Sequence, residues 1–161
     1  MKAVIQRVDN CTLKVDHSED IYSHIDRGVL VLLGITTEDT EADAQKLAKK
    51  IATLRIFSDS EDKMNLSCIA PQINGKFMVV SQFTLCGDCS HGRRPNMFNA
   101  ARPEKAEPLY EAFSSMLNEE CQKENSNAEN YVVNGKFGAH MEINFTNMGP
   151  VTFIIESSEL K

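Results

Sequence analysis

One ten-residue stretch, Lys76–Leu85, constrains the fold of this chain more than any other. Its first half, Phe77–Val80, is a short apolar run behind a turn-forming Asn74-Gly75 pair, which favours a buried strand bounded by a hairpin. Its second half carries three side chains that form hydrogen bonds, those of Ser81, Gln82 and Thr84. Buried polar groups need partners. Either these three satisfy one another, or the strand ends at a cleft and presents them to a polar ligand, which is the hypothesis we favour.

Length and composition suit a single domain. A chain of 161 residues with 42% hydrophobic content can fill one core, and we expect one domain spanning residues 1–161 with a loose tail at 155–161. No apolar run reaches 18 residues, so we predict no membrane-spanning helix. Met1-Lys2 leads directly into alternating sequence without the apolar segment of a signal peptide, which predicts a cytoplasmic protein. The five cysteines, an odd number, are then expected to be thiols in a reducing compartment.

The formal net charge of -6 argues against a general affinity for nucleic acid, because non-specific binding depends on contacts between cationic side chains and phosphates. Basic residues nevertheless cluster in two places, Lys46, Lys49 and Lys50 in one, and Arg93, Arg94, Arg102 and Lys105 in the other. The solvated face of a helix accounts for the lysine cluster. A patch as small as the arginine cluster would suffice for a protein that grips only the end of a nucleic acid.

Hydrophobic periodicity predicts two helices. The first is capped by Asp39 or Thr40 and runs to about Leu54. Its core-facing stripe is formed by Ala44, Leu47, Ala48, Ile51 and Leu54. The second begins at Pro103, a residue type favoured in the first helical turn, and Pro108 inside it predicts a later start or a bend. Its stripe is formed by Ala106, Leu109, Tyr110, Phe113, Met116 and Leu117.

The remaining apolar segments predict a strand-rich fold. Met1–Val8 and Thr12–Val15 alternate around an Asp9-Asn10 turn, which indicates a β-hairpin, and Gly28–Ile35 is apolar throughout, which predicts a strand buried on both faces. Further strands are predicted at Ile21–Ile25, Tyr131–Val133, Ala139–Phe145 and Val151–Ile155. We therefore predict an α+β fold, with a mostly antiparallel, barrel-like sheet and two main helices in one domain.

Two polar segments fall outside these elements. Cys86–Asn99 is predicted to be an exposed loop of a length that is often functional, and Glu119–Asn130 is the segment with the weakest structural signal. The loop contains Cys86, Cys89 and His91 in a Cys-x-x-Cys-x-His pattern. Three ligands without a second pair make a weak zinc motif. A thiol or metal protein is therefore one alternative, although we expect no metal.

Two sequence motifs resemble the signature motifs of the D-aminoacyl-tRNA deacylases. They are Ser81–Leu85, reading Ser-Gln-Phe-Thr-Leu, and Asn147–Thr152, reading Asn-Met-Gly-Pro-Val-Thr. The resemblance extends nearly end to end, through Ala3–Val8, Gly28–Gly34 with Asp39-Thr40, Leu54–Phe57, Lys63–Ser67, Gly92–Pro95 and Gly135–Met141. It implies the fold of that family, assembled as a homodimer with active sites at the subunit interface. It also implies an activity, hydrolysis of the ester of aminoacyl-tRNA, which is bound at its acceptor end.

The resemblance further implies how the substrate would be selected. Gly149-Pro150 is similar to the family's Gly-cis-Pro element, which each subunit inserts into the pocket of the other, although a Gly-Pro pair alone is a common turn. Carbonyls of Gly149 and Pro150 would accept hydrogen bonds from the substrate's α-ammonium, so that an L side chain would meet the backbone and a D side chain would not. Glycine has no side chain to reject. The implied substrates are D-aminoacyl-tRNA and glycyl-tRNA, with L-aminoacyl-tRNA excluded.

Roles for the remaining site residues follow from the same resemblance. Thr84 and Phe83 are the expected catalytic residues, because the Thr84 hydroxyl would orient water or the ester while the two main-chain amides stabilise the oxyanion. Without a neighbouring base, Thr84 is not expected to be a nucleophile, and the terminal ribose hydroxyl of the tRNA is implied to assist. Substrate-binding roles fall to Ser81, Gln82, Phe137 and Phe98, although core packing explains either of the last two phenylalanines equally well.

Arg7 matches a family arginine and is expected to position the Gly149-Pro150 motif, the alternatives being a plain surface position or a pairing with a carboxylate. The loop at Cys86–His91 departs from the family, whose members carry an aromatic residue and then lysines there, so its tRNA contact is assigned to Arg93 and Arg94. The four histidines, His17, His24, His91 and His140, form no recognised nucleophile motif, and His140 is predicted to be structural or outward-facing. No cofactor is expected. The alternative from another class is a non-catalytic homodimer that binds nucleic acid or protein through the Arg93-Arg94 loop.

Overall fold

A computed structural model describes residues 1–125 and 129–161. Within these residues the chain forms β1 (Lys2–Val15), β2 (Ser23–Ile25), β3 (Gly28–Gly34), α1 (Glu41–Thr53), β4 (Arg55–Ser58), β5 (Met64–Ser67), β6 (Lys76–Ser81), α2 (Pro103–Asn125), β7 (Val132–Asn134) and β8 (Met141–Glu156). Six strands form one curved sheet in the order β2-β1-β3-β6-β7, with β8 also paired to β1, and β4 pairs with β5 alone. The predicted α+β class with a barrel-like sheet and two main helices is confirmed.

The hairpin predicted at the start of the chain is wrong, because β1 is one continuous strand with Asp9 and Asn10 in its middle. Along one edge it pairs with β8 in antiparallel register, and along the other it pairs first with β3 and then with β2. The register with β8 shifts on either side of Val8. Such bulges absorb extra residues and bend a strand, so the turn-forming pair bends β1 without reversing it.

The central strand β6 is not part of a hairpin either. It runs parallel to both of its neighbours, β3 and β7, and parallel strands need a crossover connection. The Asn74-Gly75 turn therefore leads into β6 from a crossover. The strand also ends earlier than predicted, at Ser81, and a 3-10 turn at Phe83–Cys86 follows it.

Burial of β3 on both faces is confirmed, because successive side chains of a strand point to opposite sides and meet two different cores. Val29, Val31 and Leu33 pack in a cluster that includes residues of both helices. Leu30 instead packs with Met78 and other strand residues in a second cluster, which fills the inside of the curled sheet.

Both helices begin where the sequence predicts. Thr40 caps α1 in a capping box with Asp43, and the helix ends before Leu54. α2 begins at Pro103 and continues through Pro108. It then extends to Asn125, so the weak structural signal after Glu119 was misleading. Cys121 on this last part of α2 is fully buried and packs in the core, which explains why a charged, amide-rich sequence stays helical. Residues 126–128 of the weakly predicted segment lie outside the described residues.

The C-terminal part of the chain differs from two predictions. The segments predicted as separate strands, Ala139–Phe145 and Val151–Ile155, belong to the single strand β8. The tail expected to be loose is anchored at Ser157, which is 1% exposed and whose main-chain N–H donates to the Met1 carbonyl at 2.8 Å. After it, Ser158, Glu159 and Lys161 are exposed. All five cysteines are free thiols, as predicted. None of the described helices is long and apolar enough to cross a membrane.

Candidate active site

The polar end of β6 opens onto a cavity of about 480 Å³. Its wall includes Ser81 and Gln82 at the strand end, Phe83 just after them, and Phe137 from the segment between β7 and β8. Most of the remaining wall is apolar, with contributions from Leu33, Val80, Ala106 and Ile143. An apolar cavity with a few convergent polar groups is the usual form of a small-ligand site. The strand therefore ends at a cleft, as predicted, and the binding roles of these residues remain predictions.

Thr84 lies in the 3-10 turn beside this wall. Its Oγ1 accepts a hydrogen bond of 2.5 Å from Gln82 Nε2, which ties the hydroxyl to a residue that lines the cavity. The Thr84 hydroxyl proton remains available for donation to a ligand. The hydrogen-bond partner of the hydroxyl is an amide, which cannot act as a general base. The arrangement can therefore orient a ligand, and the hydrogen bond from Gln82 does not activate Thr84 as a nucleophile.

The main-chain amides of Phe83 and Thr84 open the 3-10 turn, where helical turns leave their first N–H groups without an internal partner. Among the residues that the structure describes, neither N–H donates to a main-chain carbonyl outside this turn. Phe83 is 60% exposed, so its ring offers aromatic surface of the kind on which bases stack. This turn thus combines two amide donors, a hydroxyl and an aromatic face at one edge of the cavity.

Phe137 is held in the cavity wall by Tyr110 of α2. The two ring centroids are 5.7 Å apart with planes tilted by 50°. The Tyr110 hydroxyl donates to the Val79 carbonyl at 2.8 Å, and burial raises the pKa of Tyr110 so that it stays a donor. Phe137 also packs against the main core. The two interpretations of this residue, cavity lining and core packing, are therefore both correct.

The Gly149-Pro150 pair lies on a bulge of β8. Gln6 pairs with Thr152 and Val8 pairs with Asn147, so four residues, Met148–Val151, stand opposite Arg7 alone. The Gly149-Pro150 peptide bond is cis, as predicted, and both residues are exposed. The bulge takes their main-chain groups out of the regular pairing with β1, where a ligand can reach them.

Arg7 anchors the base of this bulge. Its Nε donates to the Met148 carbonyl at 2.9 Å, and its Nη1 donates to the Ile56 carbonyl at 2.7 Å. The guanidinium carbon lies 5.8 Å from the centroid of the Phe57 ring, within the range of a cation–π contact. Arg7 thus joins β4 to the residue that precedes Gly149, and its hydrogen-bond partners are carbonyls, not the carboxylate of the alternative hypothesis.

Gln6 also contacts the bulge, a role that the sequence did not predict. Its Nε2 donates to Asn147 Oδ1, and its Oε1 accepts a hydrogen bond from Thr152 Oγ1. One side chain thus connects the residues on both sides of the bulge. The only sequence signal was an amide next to Arg7, and its meaning depends on the register between β1 and β8.

Several predicted site residues do not line the cavity. Phe98 is 86% exposed and outside the wall, which excludes core packing for it. Arg93 and Arg94 are exposed in the loop after the 3-10 turn. Gly149 and Pro150 are absent from the wall of the described cavity. Within one chain, the Gly-Pro bulge and the polar end of β6 are therefore separate features.

The Cys86–His91 segment does not gather its metal-ligand residues. The potential metal group among the described residues includes none of Cys86, Cys89 and His91. Asp88 pairs instead with Asn96 across the loop, and its carboxylate accepts the Ser90 N–H at 2.8 Å. Burial raises the pKa of the half-buried Cys86 thiol, which disfavours a reactive thiolate. These observations do not support a thiol or metal protein built on this loop.

The fold and the site define a class of protein: a small α+β chain with a cavity at the end of a central strand and an anchored Gly-Pro bulge. The chain belongs to the D-Tyr-tRNA(Tyr) deacylase family, whose model matches residues 4–156. It is 50% identical over 159 residues to the D-aminoacyl-tRNA deacylase of Thermus aquaticus, covering 99% of this chain and 97% of that protein. It is 46% identical over 157 residues to the D-aminoacyl-tRNA deacylase of Brevibacillus brevis, covering 98% and 100% respectively.

Two solved structures have folds similar to that of this chain. The structure of a c-Myc DNA unwinding element binding protein matches with a TM-score of 0.84 at 36% identity, covering 97% of this chain and 98% of that one. The structure of a probable eukaryotic D-amino acid tRNA deacylase matches with a TM-score of 0.79, covering 96% and 98%. At 17% identity, this second match supports the fold alone.

Proposed function

We propose that this chain is a D-aminoacyl-tRNA deacylase, which hydrolyses the ester between tRNA and a D-amino acid or glycine and leaves L-aminoacyl-tRNA intact. The proposal rests on the Gly149-Pro150 bulge. The bulge is exposed, and Arg7 fixes its base by donating a hydrogen bond to the Met148 carbonyl. Membership of the deacylase family supports the same activity. We further propose that the protein works in the cytoplasm, where aminoacyl-tRNA is used.

Selection of the substrate would depend on main-chain atoms. A carbonyl oxygen fixed on the bulge can accept a hydrogen bond from the α-ammonium of the bound amino acid. Once the ammonium and the ester are both fixed, the two remaining substituents of the α-carbon have defined directions. The L side chain would then point into the bulge and the D side chain would point away from it. Glycine presents only hydrogen in either direction and is accepted.

The chemical step demands little of the protein, because an aminoacyl ester is already activated. Water attacks the carbonyl carbon, the bond to the ribose oxygen breaks, and the ribose oxygen takes a proton. The amides of Phe83 and Thr84 are suited to stabilise the oxyanion, and the Thr84 hydroxyl, held by Gln82, is suited to orient the ester. A ribose hydroxyl of the substrate next to the ester can assist the attack, which accounts for a site without an evident general base.

We propose that the active site is completed by a second copy of this chain. The bulge does not contribute to the cavity of its own chain, whereas β8 on either side of it exposes large apolar side chains, those of Phe145, Phe153 and Ile154. A homodimer through β8 would bury these residues and carry Gly149-Pro150 to the cavity of the partner. Light scattering should show a dimer that Ile154→Glu dissociates and that Ile21→Glu, a change at another exposed isoleucine, leaves intact. A wild-type monomer would contradict this arrangement.

The tRNA would bind by its acceptor end, with Arg93 and Arg94 as phosphate contacts. Both are exposed, as are Arg102 and Lys105 nearby in the sequence. A contact limited to this patch is compatible with the net charge of -6, because few phosphates are neutralised. Exchanging Arg93 and Arg94 together for alanine should weaken tRNA binding and reduce its salt dependence.

A second candidate is a non-catalytic homodimer that binds nucleic acid, and the similarity of this chain to the c-Myc DNA unwinding element binding protein favours it. One experiment separates the two candidates: incubation of the purified chain with D-Tyr-tRNA, Gly-tRNA and L-Tyr-tRNA side by side. The deacylase should release D-tyrosine and glycine and leave L-Tyr-tRNA at the rate of the buffer control. Binding without hydrolysis of any of the three would favour the second candidate.

A further inference from the structure

Three potential metal ligands meet where β1 ends beside the start of β8. They are His17, His140 and Glu142, and one ligand atom from each lies within 4.8 Å of the other two. His17 Nδ1 is 3.4 Å from a carboxylate oxygen of Glu142, and the two imidazole centroids are 4.5 Å apart. In residues 1–125 and 129–161 this is the one group of His, Cys, Asp and Glu with such spacing.

The backbone around this cluster explains why the three side chains converge. Asp16 and His17 follow β1 with left-handed φ angles of 52° and 60°, a conformation that is uncommon for residues other than glycine. The Asp16 N–H donates to the His140 carbonyl at 2.8 Å, and the His140 N–H donates to the Asp16 carboxylate at 3.3 Å. Lys136 also contacts that carboxylate, at 3.4 Å. Asp16 therefore joins the turn after β1 to the residues just before β8 through these hydrogen bonds, which places His17 next to His140.

We propose that His17, His140 and Glu142 form a zinc-binding site on this chain. Two imidazole nitrogens and one carboxylate oxygen are a ligand set that Zn²⁺ accepts, with the fourth position left to water. Zn–ligand distances of about 2.0–2.2 Å require the ligand atoms to approach to about 3.4 Å from one another. All three side chains are exposed, so rotation about their side-chain bonds can close the remaining distance, and a cation can reach them from solvent.

A purely structural role explains the cluster less well. The His17–Glu142 pair has side-chain exposures of 74% and 52%, and ion pairs this exposed contribute little to stability. Metal binding would use all three groups at once and would link the turn after β1 to β8. His140 also belongs to the wall of the cavity at the end of β6, so a bound zinc ion would fix one edge of that cavity. The zinc site itself is independent of the proposed deacylase activity.

The test is a titration of the full-length, metal-free protein with zinc chloride in competition with a chromophoric chelator. Wild-type protein should bind one zinc ion per chain. His17→Ala, His140→Ala and Glu142→Gln should each weaken binding, the histidine changes by roughly tenfold or more. The matched control is His24→Ala, since His24 is an exposed histidine with a nearby carboxylate, that of Asp26 at 3.1 Å, but outside the cluster. His24→Ala should bind zinc as the wild type does.

Two further measurements make the result unambiguous. A variant with Cys86→Ser, Cys89→Ser and His91→Ala should keep its zinc affinity, because these residues lie outside the cluster. NMR spectra of the histidine rings in the wild-type protein need no variant, and zinc should shift the signals of His17 and His140 but not those of His24. The proposal would be overturned by wild-type protein that binds no zinc, by unchanged affinity in both His17→Ala and His140→Ala, or by loss of binding in the Cys86 loop variant.

Discussion

The Nε of Arg7 donates a hydrogen bond to the main-chain carbonyl of Met148 at 2.9 Å. Met148 directly precedes Gly149-Pro150, so this contact fixes the base of an exposed bulge from the strand that lies opposite it. The same guanidinium donates to the Ile56 carbonyl at 2.7 Å. A lysine could not make both contacts in the same geometry, because arginine presents its donors in a planar fork.

Arg7→Ala should therefore lower kcat/KM for D-Tyr-tRNA by about 10²-fold, because a displacement of about 1 Å in a positioning element costs that much. Arg7→Lys should restore only part of the loss. The matched control is Arg27→Ala. In the wild type the Arg27 guanidinium lies 3.7 Å from the Asp9 carboxylate in a half-exposed pair, and its removal should leave activity at the wild-type level. An Arg7→Ala protein that is folded, dimeric and fully active would contradict the positioning role.

Replacement of Thr84 tests whether its hydroxyl performs the chemistry. Thr84→Ala should retain substantial activity in a single-turnover deacylation assay, because the proposed oxyanion donors are main-chain amides and the substrate supplies its own hydroxyl. Thr84→Tyr should abolish activity, because a large side chain would occupy the substrate's place at the edge of the cavity. Complete loss of turnover in Thr84→Ala, with substrate binding retained, would show that Thr84 is chemically essential.

The main features of the fold could be predicted from the sequence wherever a local pattern decided the outcome. The capping residue Thr40 and the apolar stripe behind it defined α1, and the apolar run after Gly28 defined a strand with two buried faces. The Asp9-Asn10 and Asn74-Gly75 pairs misled us, because β1 continues through the first as a bulged strand and the second precedes a parallel strand. Pairing partners far along the chain decide both cases, and local sequence does not contain them.

Core packing between the helices and the sheet should dominate stability. Phe113 on α2 is fully buried, so Phe113→Ala should lower the free energy of unfolding by about 3–5 kcal/mol, measured by urea denaturation. The matched control is Phe98→Ala, at a ring that is 86% exposed, which should change it by no more than about 0.5 kcal/mol. A large destabilisation by Phe98→Ala would mean that Phe98 packs against part of the protein.

Three buried cysteines, Cys11, Cys68 and Cys121, should make stability depend on pH in the alkaline range, because burial raises the pKa of each thiol. Burial raises the pKa of the Cys11 thiol from 9.0 to about 11 and that of the Cys121 thiol to about 12. Above pH 9 the unfolded chain loses these protons while the folded chain keeps them, so the free energy of unfolding should fall as the pH rises from about 9 to 11. Urea denaturation of Cys11→Ala should show a smaller fall over this range. The same change at the exposed Cys89 should leave the slope unaltered, and equal slopes in all three proteins would contradict the prediction.

The candidate site was predictable in composition but not in arrangement. Ser81, Gln82, Phe83 and Phe137 line one cavity, and the motifs that contain them were visible in the sequence. The two hydrogen bonds of Gln6 to Asn147 and Thr152 could not be predicted, because they depend on a four-residue bulge opposite a single residue. The proximity of the His17 and His140 side chains likewise could not be predicted, because it depends on a turn with left-handed φ angles at Asp16 and His17. No sequence pattern indicated this turn.

Heterodimers with crossed changes test whether the Gly149-Pro150 bulge of one protomer completes the cavity of the other. Thr84→Tyr should block the cavity, and Gly149→Val should place a side chain where the substrate's ammonium belongs. An added Cβ at Gly149 would lie 3.2 Å from Asn147 Oδ1, a close contact that the Asn147 side chain has to relieve. Circular dichroism and light scattering should therefore first show that Gly149→Val is folded and dimeric. Each homodimer should be inactive towards D-Tyr-tRNA.

The most direct measurement is the rate of D-Tyr-tRNA deacylation by a doubly tagged heterodimer of Thr84→Tyr and Gly149→Val protomers. If the bulge acts across the interface, one of its two sites combines an open cavity with an intact bulge, and about half of the wild-type rate should return. A heterodimer of wild-type and doubly changed protomers has no such site and should be inactive. The opposite outcome, with the first heterodimer inactive and the second about half active, would mean that each bulge serves its own chain and would rule out an active site shared between protomers.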